Sequence, residues 1–408
     1  LALTRRQFLR GSAFAAAAGL VNTPLARGAT AIILKGPAKK VLVLGAGLAG
    51  LVAAHELTKL RHDVTVLEAR TRPGGRVHTL REPFADGLYA EEGAARIPDN
   101  HDLTLKYVKQ FELPLEPFYP PRLNAVRFDR GSRQEVPIDG FTEAMGLNYG
   151  EDLGGRPEQW QKIKGGTDLL PKAFAQRLEG KIIYGAQVVR IEQDAKTARV
   201  VFSKAGARQT LTADVVLCTI PFSVLRNVEL PALSSRKRDA IKRTRYEAVS
   251  RVYLQTMTRF WEERGLNGFA FTRGAIEVWQ PTWDQPGPRG ILMTYARPGE
   301  AERITKLKEN QRIESTLKQV DEIFSGLRAS FERGVTKCWL EDEWSRGAWA
   351  FVGFSDFAAA IAPEGRIYFA GEHLSAWVSW MQGALSSGLR AVKEIDEAQY
   401  PAVKAAGV

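Results

Sequence analysis

Cysteine is nearly absent: Cys218 and Cys338 are the two in 408 residues, and they stand far apart. That excludes a disulfide framework and the paired-cysteine spacing of a zinc site. The five histidines, His55, His62, His78, His101 and His373, include no i, i+4 pair, so no helix offers a two-histidine metal site and no metal is expected. No apolar run approaches the roughly 20 residues a spanning helix requires, so stable membrane insertion is not expected. The formal charge is +11, yet the basic residues are scattered and form no stripe, which argues against a nucleic-acid partner. With 44% hydrophobic and 25% charged residues, the chain has the composition of a globular enzyme and the length for two or three domains.

What the chain does have is a concentrated signal between Lys40 and Arg76. Val41 to Leu44 is a short apolar run of strand type. Gly45, Gly47 and Gly50 make G-x-G-x-x-G, and Leu48, Leu51 and Val52 open an apolar helical face. A second strand, Val64 to Leu67, ends on Glu68, about twenty residues beyond the glycines, where a carboxylate can accept from both hydroxyls of an adenosine ribose. Gly45 serves the tight turn, Gly47 the approach of a pyrophosphate and Gly50 the packing of helix on strand, with the phosphates at the helix N-terminus. The candidate cofactor contacts are Gly45, Gly47, Leu48, Ala49 and Gly50 at the turn and Glu68, Ala69 and Arg70 at the strand end. An ordinary βαβ turn would also carry glycines, but it leaves Glu68 unexplained.

Three further motifs narrow the class of cofactor. Gly74-Gly75-Arg76 returns an Arg towards the phosphates. Glu91-Glu92-Gly93-Ala94-Ala95-Arg96-Ile97-Pro98 sets a long guanidinium among small residues. Gly365 to Glu372 reads as a strand ending on an acid, followed by Trp380-Met381-Gln382-Gly383-Ala384 and a helical run. On these motifs the sequence resembles the flavin-containing amine oxidoreductases, most closely bacterial L-amino-acid oxidases, from Lys40 to about Glu397. The resemblance implies an α/β fold: a discontinuous FAD-binding Rossmann-like domain (38–80, 162–245 and 362–397) and a substrate domain of antiparallel sheet and helices (81–140 and 246–361). Between them, 141–161 is a shortened helical or linker region where relatives usually carry a longer helical domain.

The same resemblance implies site roles. FAD is expected to be non-covalent, since the closing motif lacks a cysteine. Gly75, Arg76, Gly93, Ala94, Ala95, Arg96, the backbone of Val188, Gly371, Glu372, Trp380, Met381, Gln382 and Ala384 would contact it. Arg76 would help hold the pyrophosphate, Glu372 would take ribityl hydroxyls, and the helix after Trp380 would point its N-terminus at the flavin. Arg96 would clamp a substrate carboxylate, a role suited to a planar, permanently charged fork; a salt bridge to Glu91 or Glu92 is the structural alternative. Trp279 or Gln280 would assist Arg96. Trp380 would face the substrate, and Ser379, where close relatives have glycine, would narrow the amine pocket. Arg251 stands where most of the family places a lysine that holds a water near the flavin; it can supply charge but not act as a base, and a structural ion pair is its alternative.

The implied reaction is oxidative deamination of an L-amino acid by hydride transfer from Cα to flavin N5, giving a 2-oxo acid and ammonia, with O2 as oxidant and hydrogen peroxide as product. Rivals within the family are a simple amine or polyamine oxidase, an amino-acid 2-monooxygenase and a dehydrogenase poorly reactive with oxygen; outside it stand an NAD-dependent dehydrogenase and a non-catalytic flavoprotein. Leu1 to Ala29, with Arg5-Arg6 before an alanine-rich run, resembles a bacterial twin-arginine signal and predicts a periplasmic or secreted protein. The sequence leaves a homo-oligomer open.

Overall fold

The computed structural model describes residues 36–129, 131–137, 151–272 and 276–400; the Leu1 to Ala29 stretch, expected as a signal, and much of the 141–161 stretch lie outside them. The organising element is a five-stranded parallel sheet, ordered Ile367–Phe369, Val215–Cys218, Lys40–Leu44, Asp63–Glu68 and Ile182–Tyr184. Its central strands are near-continuous apolar runs, as expected of strands covered on both faces: Val41 to Leu44 and Val215 to Cys218 are all buried. Cys218 is one of these core side chains, and burial pushes its thiol up to about 12.

The helix Leu48–Lys59 follows the first strand, and the closing helix Met381–Glu397 packs against it. His62 reaches the same closing helix through Asp396 at 3.3 Å. Lys39 Nζ also donates to the Asp396 carbonyl at 3.1 Å, so the two ends of the described chain are fastened together at the start of the first strand, away from the Gly45 turn.

A second, seven-stranded sheet is ordered Phe331–Cys338, Ser250–Thr256, Gly290–Ala296, Ile276–Trp279, Leu266–Thr272, Asn124–Asp129 and Ser132–Val136. Its pairs are antiparallel except Leu266–Thr272 with Asn124–Asp129. One face carries Val252, Leu254, Leu266 and Val278 against Leu317, Val320 and Ile323 of the helix Glu309–Ile323. The other face carries the aromatic cluster of Phe118, Trp160, Tyr253, Phe269, Trp279 and Trp380.

The stretch Lys181 to Phe202 divides between two sheets. Ile182–Tyr184 joins the parallel sheet, whereas Gln187–Gln193 and Ala198–Lys204 form an antiparallel sheet with Ala207–Ala213. Ala207–Ala213 is largely exposed, and antiparallel sheets tolerate a wet face that parallel ones do not.

Candidate active site

At the nucleotide end, Gly45 has φ of 103°, a left-handed value that favours glycine, and its N–H donates to the Leu67 carbonyl at 2.8 Å. A Cβ on Gly50 would lie 2.0 Å from the Gly45 carbonyl oxygen, so the helix can sit this close to the turn only with glycine there. Beside Gly47 the space is open. Leu48 and Ala49 are buried, and the helix they begin has neither a side-chain cap nor an acid in its first turn. Its free N–H groups form an anion site.

Glu68 is buried between this turn and its own strand end, accepting from the Ala46 N–H at 2.6 Å and the Arg70 N–H at 2.8 Å. Burial pushes its pKa up, against the two N–H groups that hold it down. The Ala186 N–H donates to the Glu68 carbonyl at 2.9 Å, which brings the strand carrying Val188 alongside. Open space at Gly47, an uncapped helix start and a buried carboxylate within one turn fit the pyrophosphate and ribose of FAD.

The outer polar residues are tied to one another. Arg76 Nη1 donates to Glu372 Oε1 and to the Ala348 carbonyl, both at 2.8 Å. Glu372 also accepts from the Ala350 N–H at 3.1 Å and the Ser379 N–H at 3.0 Å. The Gly-Gly-Arg turn and the closing motif thus meet as a part-buried ion pair, and Gly371 donates its N–H to Ser387 Oγ at 2.9 Å. Gln382 turns its side chain away, accepting from the Thr104 N–H at 3.1 Å and donating to Asp102; its backbone, with that of Met381 and Ala384, remains at the helix start. Gly93, Ala94 and Ala95 run past Gly75-Arg76, with the Ala94 N–H donating to the Arg76 carbonyl at 3.3 Å.

Arg96 leads from this turn into an aromatic cage. Its guanidinium carbon lies 4.8 Å from the ring centres of Trp160 and Trp279, 5.7 Å from Trp380 and 5.9 Å from Tyr295. Each such face attracts a desolvated cation by about 0.5–2 kcal/mol. Trp279 is stacked on Tyr295 at 5.1 Å and 9°, and its Nε1 donates to Glu277 at 2.9 Å. The carboxyls of Glu91 and Glu92 are engaged elsewhere: Glu91 accepts from Thr79 Oγ1 at 2.9 Å and the Thr167 N–H at 2.8 Å, and Glu92 contacts His78 at 2.7 Å.

Arg251, buried, extends over the same rings, 5.3 Å from Trp279 and 5.4 Å from Tyr295, and donates to the Glu91 carbonyl at 2.5 Å. Tyr253 reaches that carbonyl too, at 2.8 Å. Gln280 is not in the cage. It lies on the reverse side, where a Cβ on Gly268 would come 2.7 Å from Gln280 and 2.9 Å from Trp261 Nε1, because successive residues along an extended chain face opposite ways. Trp380 precedes the closing helix, and Ser379 before it has φ of 74°, which accounts for a position that suits glycine.

Beside the cage is a cavity lined by Glu91, Ala95, Phe118, Lys162, Trp279 and Met293 among others. Burial raises Glu91 to about 7, with Asp168 adding to the effect and Arg251 opposing it. Burial lowers Lys162, which is paired with Asp284. Trp160, Tyr295 and Lys162 carry no motif in the sequence, and Glu91, although it opens the motif that holds Arg96, was expected there only as a salt-bridge alternative. Tyr295 was discoverable only through the register that sets it opposite Arg251.

The chain belongs to the flavin-containing amine oxidoreductase family, whose pattern matches residues 48–155 and 141–396; the two stretches meet at 141–155, where the chain is short. It is 31% identical to the flavin-dependent L-tryptophan oxidase RebO of Lentzea aerocolonigenes, over 88% of this chain and 98% of that one. It is 26% identical to the L-amino-acid oxidase of Demansia vestigiata, over 88% and 87%. Cyclohexylamine oxidase from Brevibacterium oxydans IH-35A shares its fold, with a TM-score of 0.77, 19% identity and coverage of 88% and 99%. The protein is a flavin-dependent oxidoreductase that uses FAD.

Proposed function

We propose that the protein oxidises L-α-amino acids to 2-oxo acids with release of ammonia and hydrogen peroxide. The observation that carries this reading is Arg96, a fixed cation enclosed by Trp160, Trp279, Tyr295 and Trp380 and adjoining an apolar-walled cavity. An aromatic cage without a resident charge would suit an alkylammonium. With a guanidinium inside it, the cage repels a bare amine and favours a carboxylate, which the planar fork can take through two parallel hydrogen bonds. FAD, held by the Gly45 turn and Glu68, would supply the two-electron acceptor for oxidation at the substrate Cα, with oxygen as the final oxidant.

The chain's own part is orientation. Arg96 fixes one end of the substrate, Trp380 and Tyr295 shape the walls, and Arg251 places a second positive charge over the same rings. Holding the reacting carbon in one pose removes much of the entropy cost of the step. The L-amino-acid oxidase names of the relatives above support the same substrate class.

The test is anaerobic mixing of the yellow protein with L- and D-amino acids and with amines, followed by flavin absorbance. Bleaching by L-amino acids is expected. Bleaching by amines alone would refute the proposal.

A further inference from the structure

Residues 339–348 follow the strand Phe331–Cys338 and touch Arg70, Arg76 and Glu92, which stand in three of the sequence motifs of the cofactor region. Trp339 Nε1 donates to the Glu92 carbonyl at 3.0 Å, and the Gly347 N–H closes back on the Trp339 carbonyl at 2.8 Å. The Ser345 carbonyl accepts from Ser223 Oγ at 2.5 Å, just beyond the strand Val215–Cys218. The Ala348 carbonyl accepts from Arg76. At the centre of the segment stands Asp342, 8% exposed. One of its oxygens accepts from Arg70, two residues after Glu68, and from the Trp344 N–H at 3.2 Å. The other accepts from Lys337 Nζ at 2.8 Å, and Lys337 is the cross-strand partner of Arg251. The Arg346 N–H donates to the Asp342 carbonyl at 2.8 Å.

One buried carboxylate therefore fastens the segment to the strand end that carries Glu68, through Arg70, and to the strand beside Arg251, through Lys337. Neither cation is held by another carboxylate at closer range: Glu92 is 3.8 Å from Lys337. Removing one member of a buried charged group leaves the others uncompensated.

We propose that Asp342 is a positioning residue for the cofactor, and that residues 339–348 act as a strap that must release Arg70 and Lys337 before FAD can leave. This rests on the family's FAD and is independent of the substrate reading.

The experiment is the rate of FAD release from the holoprotein on dilution, read by the rise of free-flavin fluorescence. Asp342→Asn is expected to release FAD about 10- to 100-fold faster, since breaking such a pair acts mainly on the off-rate. Asp342→Glu should recover part of that difference, and Asp356→Asn, which breaks an outlying pair with Arg243, should leave the rate unchanged. An unchanged rate in Asp342→Asn would overturn the proposal. So would an equal acceleration in Asp356→Asn, which would mark general loosening. If Asp342→Asn does not fold, Arg70→Met and Lys337→Met each remove one tie; the strap requires both to speed release, and an unchanged rate in either would overturn it.

Discussion

The nucleotide turn and the aromatic cage are built in opposite ways. Between Lys40 and Glu68 the requirements are local: a left-handed Gly45, a close approach at Gly50 and a carboxylate at the end of the next strand all lie within one βαβ unit. Around Arg96 they are tertiary. Trp160 comes from the end of the shortened region, Trp279 and Tyr295 from two strands of the second sheet, and Trp380 from the start of the closing helix. The lesson is that a cofactor shared by a family fixes backbone geometry and leaves a motif. A substrate pocket needs only side chains that converge, and these can come from anywhere in the fold.

The sharpest way to break the local half is Gly50→Val. Its Cβ would stand 2.0 Å from the Gly45 carbonyl oxygen, so the helix start must move and the anion site with it. The expected outcome is soluble or insoluble protein without flavin, read from the ratio of absorbance near 450 nm to that near 280 nm, about zero if the phosphate-cradling turn is lost. Full retention of flavin would show that the turn does not hold the cofactor.

In the cage, Arg251→Met removes a charge that touches Trp279 and Tyr295. Loss of one preorganised electrostatic group costs about 100-fold in comparable sites. We expect reoxidation of the flavin by oxygen to slow by that order in stopped-flow measurement, while reduction by substrate changes little and Arg251→Lys retains most of the rate. Equal reoxidation in Arg251→Met would make the residue structural.

Glu91 sharpens the comparison through pH. Its folded pKa of about 7 lies above the ordinary 4.5, so the folded state favours the neutral acid. Its contribution to stability is complete below pH 4.5 and is lost as pH rises through 7. Thermal unfolding of Glu91→Gln should lack this part of the parent's pH dependence. Parallel profiles would place the carboxyl in contact with water.

The smallest effect is Ser379→Gly. A left-handed serine costs about 1 kcal/mol that glycine does not, so the variant should be slightly more stable to denaturant, with flavin content unchanged. A loss of stability would show that the serine side chain holds the turn before Trp380.

These contrasts also explain how much the sequence disclosed. The strands at Val41 to Leu44 and Val64 to Leu67 were legible as short apolar runs, and Glu68 and Gly50 because their spacing is dictated by one turn. The partition at Ile182–Tyr184 was not, since Gln187–Gln193 has strand composition that does not say which sheet it joins. Trp279 and Gln280 were equivalent as letters; chain direction alone separates the cage from its reverse side. Glu372 and Arg76 were legible as acid and base of a cofactor site, but their mutual ion pair joins residues too distant in sequence for any pattern to couple. The same holds for Asp342 with Arg70.

The central claim is that the guanidinium of Arg96 reads a substrate carboxylate from inside an aromatic cage. The direct measurement is binding of an L-amino acid and of the matching decarboxylated amine to the parent and to Arg96→Met, titrated anaerobically by flavin absorbance. Arg96→Met is expected to keep its FAD and lose about 2–5 kcal/mol of binding for the amino acid, with much less change, or a gain, for the amine. Equal losses for both compounds would contradict the central claim and assign Arg96 to the fold.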